Sequence, residues 1–138
     1  MFVGTDIVEI ERIAQAYEKN KRFAEGVLSP KELDLFNSFN DERQMSFLAG
    51  RFSAKEAYVK ALGTGIGKIR FTDISIVPAA SGAPIFEYAP IVDSIGVSIS
   101  HSHAYATATV VLNLTQEELD KQLKQFRETK EGSSNASK

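Results

Sequence analysis

The sequence predicts an α+β domain in which an antiparallel sheet packs on one long central helix. A helical pattern of apolar residues runs from about residue 41 to residue 62, and most strand-like segments follow it, between residues 71 and 112. Because helices and strands come in separate blocks and do not alternate, an antiparallel sheet is favoured over a parallel one. A chain of 138 residues is most simply one domain with a substantial hydrophobic core.

The composition limits the classes of function. Hydrophobic residues make up 43% of the chain and charged residues 25%, which is typical of a soluble globular protein. The net charge of −2 gives no reason to expect a nucleic-acid partner. The absence of cysteine excludes disulfides and thiolate metal sites and suits a cytoplasmic protein. No apolar run reaches the roughly 18 residues of a membrane span, and no basic leader is present, so we expect neither membrane insertion nor a signal peptide.

The N-terminal part predicts one strand followed by short helices. Residues 2–10 are rich in β-branched side chains and form the strand, with Asp6 near its middle. Apolar residues then recur at helical spacing to about residue 19, and residues 23–28 add another helical turn or two. A further helix starts at Ser29, which can cap it, with Pro30 at the first helical position and Glu32 completing a capping box.

The long central helix begins with Asp41 as its predicted N-cap and ends at Gly63, which can take the left-handed conformation. Glu56 lies on a face with four apolar residues, Met45, Leu48, Phe52 and Val59. Much of the opposite side is also apolar, with Phe47, Ala54, Tyr58, Ala61 and Leu62. The helix is therefore predicted to be buried on most of its circumference. A carboxylate in that setting must be paired, protonated or bound to a cation.

The C-terminal part predicts the remaining strands. A strand at residues 71–77, a turn at 81–84 and a strand at 85–88 are followed by one helical turn at 90–94. A hairpin joins strands at 96–100 and 105–112. Thr115 then caps a last amphipathic helix, and residues 132–138 have the composition of a flexible tail, so the single domain is predicted to span residues 1–131.

Two acidic residues in apolar elements could form a metal site. Asp6 on the strand and Glu56 on the helix would suit Mg²⁺, which prefers one or two carboxylates plus water and phosphate oxygens. The alternative is that Asp6 lies on an exposed face while Glu56 pairs with Lys60 or Arg51. Residue chemistry alone leaves both interpretations open.

The other motifs have ordinary explanations beside functional ones. The loop Gly63–Thr64–Gly65 could offer backbone N–H groups to a phosphate, but it follows its helix and so is no P-loop; a helix end plus a tight turn is equally consistent. His101 and His103 could ligate zinc, although a third ligand is not evident, and solvated histidines at a hairpin tip are commoner. The serines around them suit anion binding, and a Ser–His nucleophile lacks the usual elbow motif.

Three sequence blocks together resemble the holo-(acyl carrier protein) synthase family, the small single-domain branch of the 4′-phosphopantetheinyl transferases. The first block is residues 4–10 and the third is residues 97–102. The second consists of residues 47–57, Lys60 and residues 63–66. Their order and spacing agree over residues 2–113. Ser53 stands where alanine is commoner in the family, and the helix and tail beyond about residue 115 exceed the usual family length.

The resemblance implies transfer of the 4′-phosphopantetheine arm of coenzyme A to a serine of apo-acyl carrier protein, in fatty acid biosynthesis. Adenosine 3′,5′-bisphosphate would be released, and the reaction would need Mg²⁺. Asp6 and Glu56 match the family's metal-binding positions, and Lys60 would neutralise the phosphates and assist the leaving group. Coenzyme A contacts are implied for Arg51, Lys60, Gly63, Thr64, Gly65, Ser100 and His101. The general base is left open between Glu56 and a water molecule near the ion.

The resemblance also implies partners. Acyl carrier proteins are strongly acidic, so a locally basic segment would form the docking surface: Arg12, Lys19, Lys21 and Arg22. The residue pattern alone is typical of a solvent-exposed face. The family implies a homotrimer with active sites at subunit interfaces. Two other functions compete with the transferase: a non-catalytic module that binds coenzyme A or a nucleotide, and a zinc hydrolase using His101 and His103.

Overall fold

The computed structural model describes residues 1–63 and 69–136, with side chains as far as Thr129. In chain order the elements are β1 (Phe2–Glu9), α1 (Ile10–Lys19), α2 (Arg22–Val27), α3 (Pro30–Ser38), α4 (Asp41–Leu62), a 3₁₀ turn (Phe71–Asp73), β2 (Ser75–Pro78), β3 (Pro84–Tyr88), β4 (Ile95–His101), β5 (Tyr105–Leu112) and α5 (Gln116–Ala136).

Strands β1, β5 and β4 form an antiparallel sheet in that order, with β5 in the centre. The register places Asp6 beside Ala108 and Ala108 beside Ile99. Strands β2 and β3 form a separate antiparallel hairpin. The sheet packs on α4, so the predicted α+β class with a long central helix is confirmed.

Gly4 sets the distance between β1 and α4. A Cβ atom at this position would overlap the backbone of Ala57 and Ala61 on the helix. Gly4 is buried, and Asp6, two residues further along the same strand, shares the face that looks toward α4. The missing side chain at Gly4 therefore brings the Asp6 side of β1 close to the second half of the helix.

The hydrophobic core has two parts on either side of α4. In one part, Tyr58 and Ala54 pack with Val110 and Leu112 of β5 and with Leu119 of α5. The other part joins the short N-terminal helices to the first half of α4, through Ile13, Ala24, Val27, Leu28, Phe36, Leu48, Ala49 and Ala106. The prediction that α4 is buried on most of its circumference is confirmed.

The face of α4 that carries Glu56 is more open than predicted. Phe52, Glu56 and Val59 are only half-buried, whereas Ala54, Tyr58 and other residues of the opposite side are fully buried. The cause is the sheet, because β1 and β5 cover that opposite side. Glu56 is therefore partly accessible to solvent and is not enclosed in the hydrophobic core.

The helix ends agree with the sequence to within one residue. Ser29 and Glu32 form the predicted capping box of α3. The N-cap of α4 is Asn40 and not Asp41, because the Asn40 side-chain oxygen accepts the backbone N–H of Arg43 at 2.9 Å. Gly63 ends α4 with φ of 88°, in the region that favours glycine, although its ψ of −174° is extended.

Two predictions for the second half of the chain are wrong in detail. The strand predicted at 71–77 begins only at Ser75, because Asp73 accepts the backbone N–H of Arg70 at 2.8 Å and closes a 3₁₀ turn. No helical turn forms at 90–94. The Tyr58 hydroxyl accepts the backbone N–H of Ile91 at 2.8 Å and donates to its carbonyl at 3.0 Å, so both groups bond outside their own segment.

Helix α5 begins after the predicted cap Thr115, whose hydroxyl accepts the backbone N–H of Glu118 at 3.1 Å. Leu119 and Leu123 anchor it to the core, as its apolar stripe predicts. The helix continues to Ala136, so residues 132–136 extend it where the composition predicted a tail. The division of the chain at residue 131 stays a prediction. Within the described ranges, no helix is long and apolar enough to cross a membrane.

Candidate active site

Asp6 and Lys60 meet between β1 and the last turns of α4. The Lys60 ammonium donates to Oδ1 of Asp6 at 3.3 Å and to the carbonyl oxygen of Thr5 at 3.0 Å. The backbone carbonyl of Asp6 accepts hydrogen bonds from the Thr107 hydroxyl at 2.7 Å and the Ser53 hydroxyl at 3.1 Å. The Asp6 side chain is only 15% exposed. The neighbouring strand and the helix therefore hold the backbone of Asp6, and Lys60 contacts its carboxylate.

Glu56 lies one helical turn before Lys60 and interacts electrostatically with Asp6. Burial and then the negative charge of Asp6 raise the pKa of the Glu56 carboxyl above its usual value, and Lys60 opposes this shift. Across residues 1–63 and 69–129, Glu56 forms no ion pair. The ion pairs of Lys60 and Arg51 are with Asp6 and Glu32 instead.

The donors of this cluster suit Mg²⁺ and not structural zinc. Asp6 and Glu56 supply two carboxylates, and within the described part of the chain no group of three histidine, cysteine or acidic residues could hold a metal. Mg²⁺ commonly takes one or two carboxylates and completes its shell with water and phosphate oxygens. A tetrahedral zinc site needs more protein ligands than these residues provide.

Arg51 and His101 lie in a different place, in a pocket of about 440 Å³ between the first half of α4 and the end of β4. Gly50 lies close to β4 here, since a Cβ atom on it would come within 3.1 Å of the Ile99 side chain. The pocket is also lined by Asn40, Glu42, Arg43, Ser46 and Phe47. An arginine and a histidine in one open pocket make it suitable for an anionic group.

Arg51 is held rigidly in the wall of that pocket. Its Nε donates to the carbonyl oxygen of Ile76 at 2.9 Å, and its guanidinium carbon lies 4.4 Å from the centre of the Phe47 ring. Only 9% of the residue is exposed. Burial lowers the pKa of Arg51 and the nearby Glu32 opposes that shift; an arginine stays charged in either case.

Ser100 lies on the other face of the sheet. Successive residues of β4 alternate, so Ile99 and His101 share the face of α4 while Ser100 points away from it. Ser100 pairs with Thr107 of β5. These predicted residues thus fall into three places in the chain: the cluster of Asp6, Glu56 and Lys60, the pocket of Arg51 and His101, and the outer sheet face.

The glycine loop is described only at its start. Gly63 is exposed, and its backbone N–H bonds to the carbonyls of Val59 and Lys60 at 3.2 Å. The predicted coenzyme contacts Thr64 and Gly65 lie outside the described residues.

The predicted basic surface runs from α1 to the start of α2, and part of it is engaged in local contacts. Arg12 and Lys19 are exposed and border a shallow groove with Gln15, Ala16 and Glu18. The Lys21 ammonium lies 4.3 Å from the centre of the Tyr17 ring, and Nε of Arg22 lies 3.7 Å from Glu25. Arg12 and Lys19 are therefore the more open charges of the four.

The outer face of the sheet exposes apolar side chains. Val3 and Ile7 of β1 are 57% and 66% exposed, and Tyr105 and Val111 of β5 are 48% and 37% exposed. They alternate with the residues that face α4, so they form one patch on the side that carries Ser100. A patch of this kind is typical of an interaction surface.

Sequence reasoning missed the buried pair Lys55 and Glu32. Both side chains are fully inaccessible, and Nζ of Lys55 lies 2.6 Å from Oε1 of Glu32. Burial lowers the pKa of Lys55, and Glu32 opposes the shift. The available signal was the position of Lys55 between Ala54 and Ala57 on a helix predicted to be buried, since a lysine there needs an acidic partner.

Comparisons with known proteins identify the family of this chain. The family model described as the 4′-phosphopantetheinyl transferase superfamily matches residues 2–115. A holo-[acyl-carrier-protein] synthase of Streptococcus agalactiae serotype III is 56% identical over 110 residues, which are 79% of this chain and 92% of that protein. Its counterpart in Streptococcus thermophilus is 48% identical over 113 residues, 82% of this chain and 95% of that protein.

Solved structures give the same result. A holo-(acyl-carrier-protein) synthase from Bacillus anthracis in complex with CoA (3′,5′-ADP) matches with a TM-score of 0.72 and 40% identity, over 80% of this chain and 94% of that one. The Helicobacter pylori enzyme in complex with coenzyme A matches with a TM-score of 0.70 and 37% identity, over 80% of this chain and 99% of that one. All of α5 lies beyond the residues that the family model matches.

Proposed function

Because this chain belongs to the 4′-phosphopantetheinyl transferase superfamily, we propose that it transfers the 4′-phosphopantetheine arm of coenzyme A to a serine of apo-acyl carrier protein. The products are holo-acyl carrier protein and adenosine 3′,5′-bisphosphate, and the reaction serves fatty acid biosynthesis. The observation that carries the proposal is the convergence of Asp6, Glu56 and Lys60 from two separate elements in a chain so similar to these synthases.

In the transfer, the serine oxygen of the carrier protein forms a bond to phosphorus, and the pyrophosphate P–O bond breaks. The bond electrons leave with adenosine 3′,5′-bisphosphate, and the serine proton passes to a base. Glu56 and a water molecule near the ion are the two candidates for that base, and Glu56 qualifies by its position beside Asp6 and Lys60. Lys60 is 55% exposed at its side chain, so its ammonium can turn from Asp6 to an oxygen of the leaving phosphate.

Mg²⁺ is the proposed cofactor, with Asp6 and Glu56 as its ligands. When bound, the ion would offset negative charge on the pyrophosphate oxygens. The fit rests on the close pair of partly buried carboxylates, whose mutual repulsion a cation would relieve.

The nucleotide part of coenzyme A is proposed to contact Arg51, His101, Ser100 and the loop that starts with Gly63, Thr64 and Gly65. Arg51 and His101 share one pocket, which supports a common anionic group there. Ser100 lies on the opposite face of the sheet from that pocket. One subunit therefore offers these contacts in separate places.

We infer that the enzyme is a homotrimer whose sites are completed by neighbouring copies. The separation of the proposed contacts within one chain supports this assembly, and so does the apolar patch of Val3, Ile7, Tyr105 and Val111. A second copy would bury this patch and bring its own residues to the sheet face that carries Ser100.

The carrier protein is proposed to dock on α1 and the start of α2, through Arg12, Lys19, Lys21 and Arg22. Arg12 and Lys19 are exposed on one helix face, seven residues apart, which supports contact with an acidic partner. A cytoplasmic location is also part of the proposal, with which a cysteine-free sequence agrees.

Intact-protein mass spectrometry tests the function. The enzyme is incubated with coenzyme A, Mg²⁺ and an apo-acyl carrier protein, and we expect the carrier to gain the mass of one phosphopantetheine arm. A carrier protein whose acceptor serine is replaced by alanine is the control. Binding of coenzyme A without any mass gain on several carrier proteins would favour the non-catalytic binding module. Zinc-dependent hydrolysis would favour a hydrolase, against which the two-carboxylate donor set argues.

A further inference from the structure

A buried network of charges lies behind the pocket of Arg51 and His101. Lys55 is completely inaccessible, and its ammonium donates to Oε1 of Glu32 at 2.6 Å and to the carbonyl oxygens of Val27 and Phe71 at 2.6 Å and 2.9 Å. Three acceptors need three N–H donors, and only the charged ammonium has three. The contacts therefore identify Lys55 as a buried cation.

Glu32 is the buried anion of the same network. Its Oε1 also accepts the backbone N–H of Ser29 at 2.7 Å, and its Oε2 accepts the backbone N–H of Ile76 at 2.8 Å. These backbone donors stabilise the ionised carboxylate even without a cation. Glu32 thus stays negative in the interior of the protein.

Arg51 stands next to this carboxylate without forming a close pair with it. Its Nε lies 3.8 Å from Oε2 of Glu32, compared with 2.6 Å between Lys55 and Glu32. The Arg51 Nε donates instead to the carbonyl oxygen of Ile76. The peptide groups of Ile76 are thereby held from both sides, by Glu32 at the N–H and by Arg51 at the carbonyl.

Two cations and one anion leave a net charge of about +1 in this network. Because Lys55 is the closer partner, it neutralises Glu32, and the excess charge resides on Arg51 at the pocket wall. Without Lys55, Arg51 would be the remaining ion-pair partner of Glu32 among the described residues, and the two would form a neutral pair. The electrostatic attraction of the pocket for an anion would then fall.

We propose that Lys55 is a positioning residue that neutralises Glu32 and so keeps the charge of Arg51 available to a phosphate group of the nucleotide. The choice of nucleotide rests on the proposed function. The charge balance itself rests on the buried contacts. Lys55 touches no ligand in this account and acts only through Glu32 and Arg51.

The experiment compares a charged ligand with an uncharged one by isothermal titration calorimetry. The full chain is titrated with adenosine 3′,5′-bisphosphate and, separately, with adenosine. Lys55→Met should weaken binding of the bisphosphate by about tenfold and leave adenosine binding unchanged. The double variant Lys55→Met/Glu32→Gln removes both charges and should restore bisphosphate binding to within about threefold of the wild type.

Glu32→Gln alone supplies a variant of opposite sign. It removes the anion, so the affinity for the bisphosphate should equal that of the wild type or exceed it. This variant still tests the inference if Lys55→Met does not fold. Tyr58→Phe is the matched control. Tyr58 lies on the same helix as Lys55, and the substitution removes its buried hydrogen bonds to Ile91 without changing charge. It should lower the melting temperature and leave the ratio of the two affinities unchanged.

Three results would overturn the inference: equal weakening of both ligands in Lys55→Met, no recovery in the double variant, or weaker bisphosphate binding in Glu32→Gln. Each would mean that Lys55 only holds the fold together. Failure of the wild type to bind the bisphosphate would contradict the proposed function as well. If the wild type binds the bisphosphate and Lys55→Met binds it with the same affinity, this inference alone is contradicted.

Discussion

The Lys60 ammonium lies 3.3 Å from Oδ1 of Asp6, and it also donates to the backbone carbonyl beside that residue at 3.0 Å. The Lys60 ammonium thus connects the end of α4 to the middle of β1. Glu56, one helical turn earlier, supplies a second carboxylate near the same point. The three charges come from two elements that pack closely because Gly4 has no side chain. The geometry of the proposed site therefore depends on backbone packing as much as on its charged groups.

Gly4→Ala tests that dependence. The added Cβ would overlap helix backbone, so β1 must shift, and we expect a loss of about 2–4 kcal/mol in the free energy of unfolding together with reduced turnover. Urea denaturation measures the first effect. Gly26→Ala is the matched control, because a Cβ there would meet no atom within 4 Å beyond its chain neighbours and its own helix backbone, and this helical position should lose nothing. Equal stability of the two variants would show that Gly4 is not needed for close packing.

The pH dependence of stability tests the setting of Glu56. Burial and Asp6 raise its pKa in the folded state above the usual 4.5, so the ionised form is disfavoured by folding. The resulting loss of stability is absent below the unfolded pKa and fully present above the folded one. Without Mg²⁺, Glu56→Gln should therefore have the same free energy of unfolding as the wild type at about pH 4, and a higher one than the wild type toward about pH 7.

Differential scanning calorimetry at several pH values measures this difference. Glu117→Gln on the exposed start of α5 controls for the loss of a negative charge far from Asp6. A melting temperature of Glu56→Gln that stays parallel to the wild type at every pH would show that the raised pKa has no energetic consequence. Added Mg²⁺ should raise the wild-type melting temperature and leave that of Glu56→Gln almost unchanged.

Two arginines of the basic surface should differ in their effect on the carrier protein. Arg12→Glu should raise the Michaelis constant for apo-acyl carrier protein by about tenfold at low salt, because Arg12 is exposed. Arg22→Glu should have a smaller effect, because Arg22 already lies near Glu25. The Michaelis constant for coenzyme A is the internal control. An unchanged constant for the carrier in both variants would remove α1 from the docking surface.

The oligomeric state tests the outer sheet face. Ile7→Glu places a charge in the exposed apolar patch, so light scattering should show the mass falling from that of three copies to that of one. Val92→Glu changes an exposed apolar residue outside the sheet and should leave the mass unchanged. A wild type that is already monomeric would contradict the trimer outright. A trimer that survives Ile7→Glu would place the interface elsewhere.

Local features of the fold follow directly from the sequence. The capping box of Ser29 and Glu32 and the end of α4 at Gly63 involve residues only a few positions apart, and both are confirmed. The predicted helical turn at 90–94 is wrong, and the backbone N–H and carbonyl of Ile91 bond instead to Tyr58, which lies more than thirty positions earlier. Propensity within a segment contains no information about such a distant partner.

The site was predictable only in part for the same reason. Resemblance to a family indicated Asp6 and Glu56, whereas helical periodicity indicated only that a carboxylate sat in an apolar row. The pairing of Lys55 with Glu32 joins two helices across 23 positions, and no local pattern shows it. Strand alternation could have separated Ser100 from His101, since neighbours on a strand face opposite ways.

The most direct test of the central claim is single-turnover transfer measured by mass spectrometry with the wild type, Asp6→Asn and Glu56→Gln. We expect the wild type to convert the apo-carrier fully, and each variant to be slower by at least about a hundredfold while keeping its circular dichroism spectrum. Glu117→Gln on the exposed start of α5 makes the same carboxylate-to-amide change outside the proposed sites, so it serves as the control and should keep the wild-type rate. Wild-type rates in either carboxylate variant would contradict the proposal that Asp6 and Glu56 form the catalytic metal site.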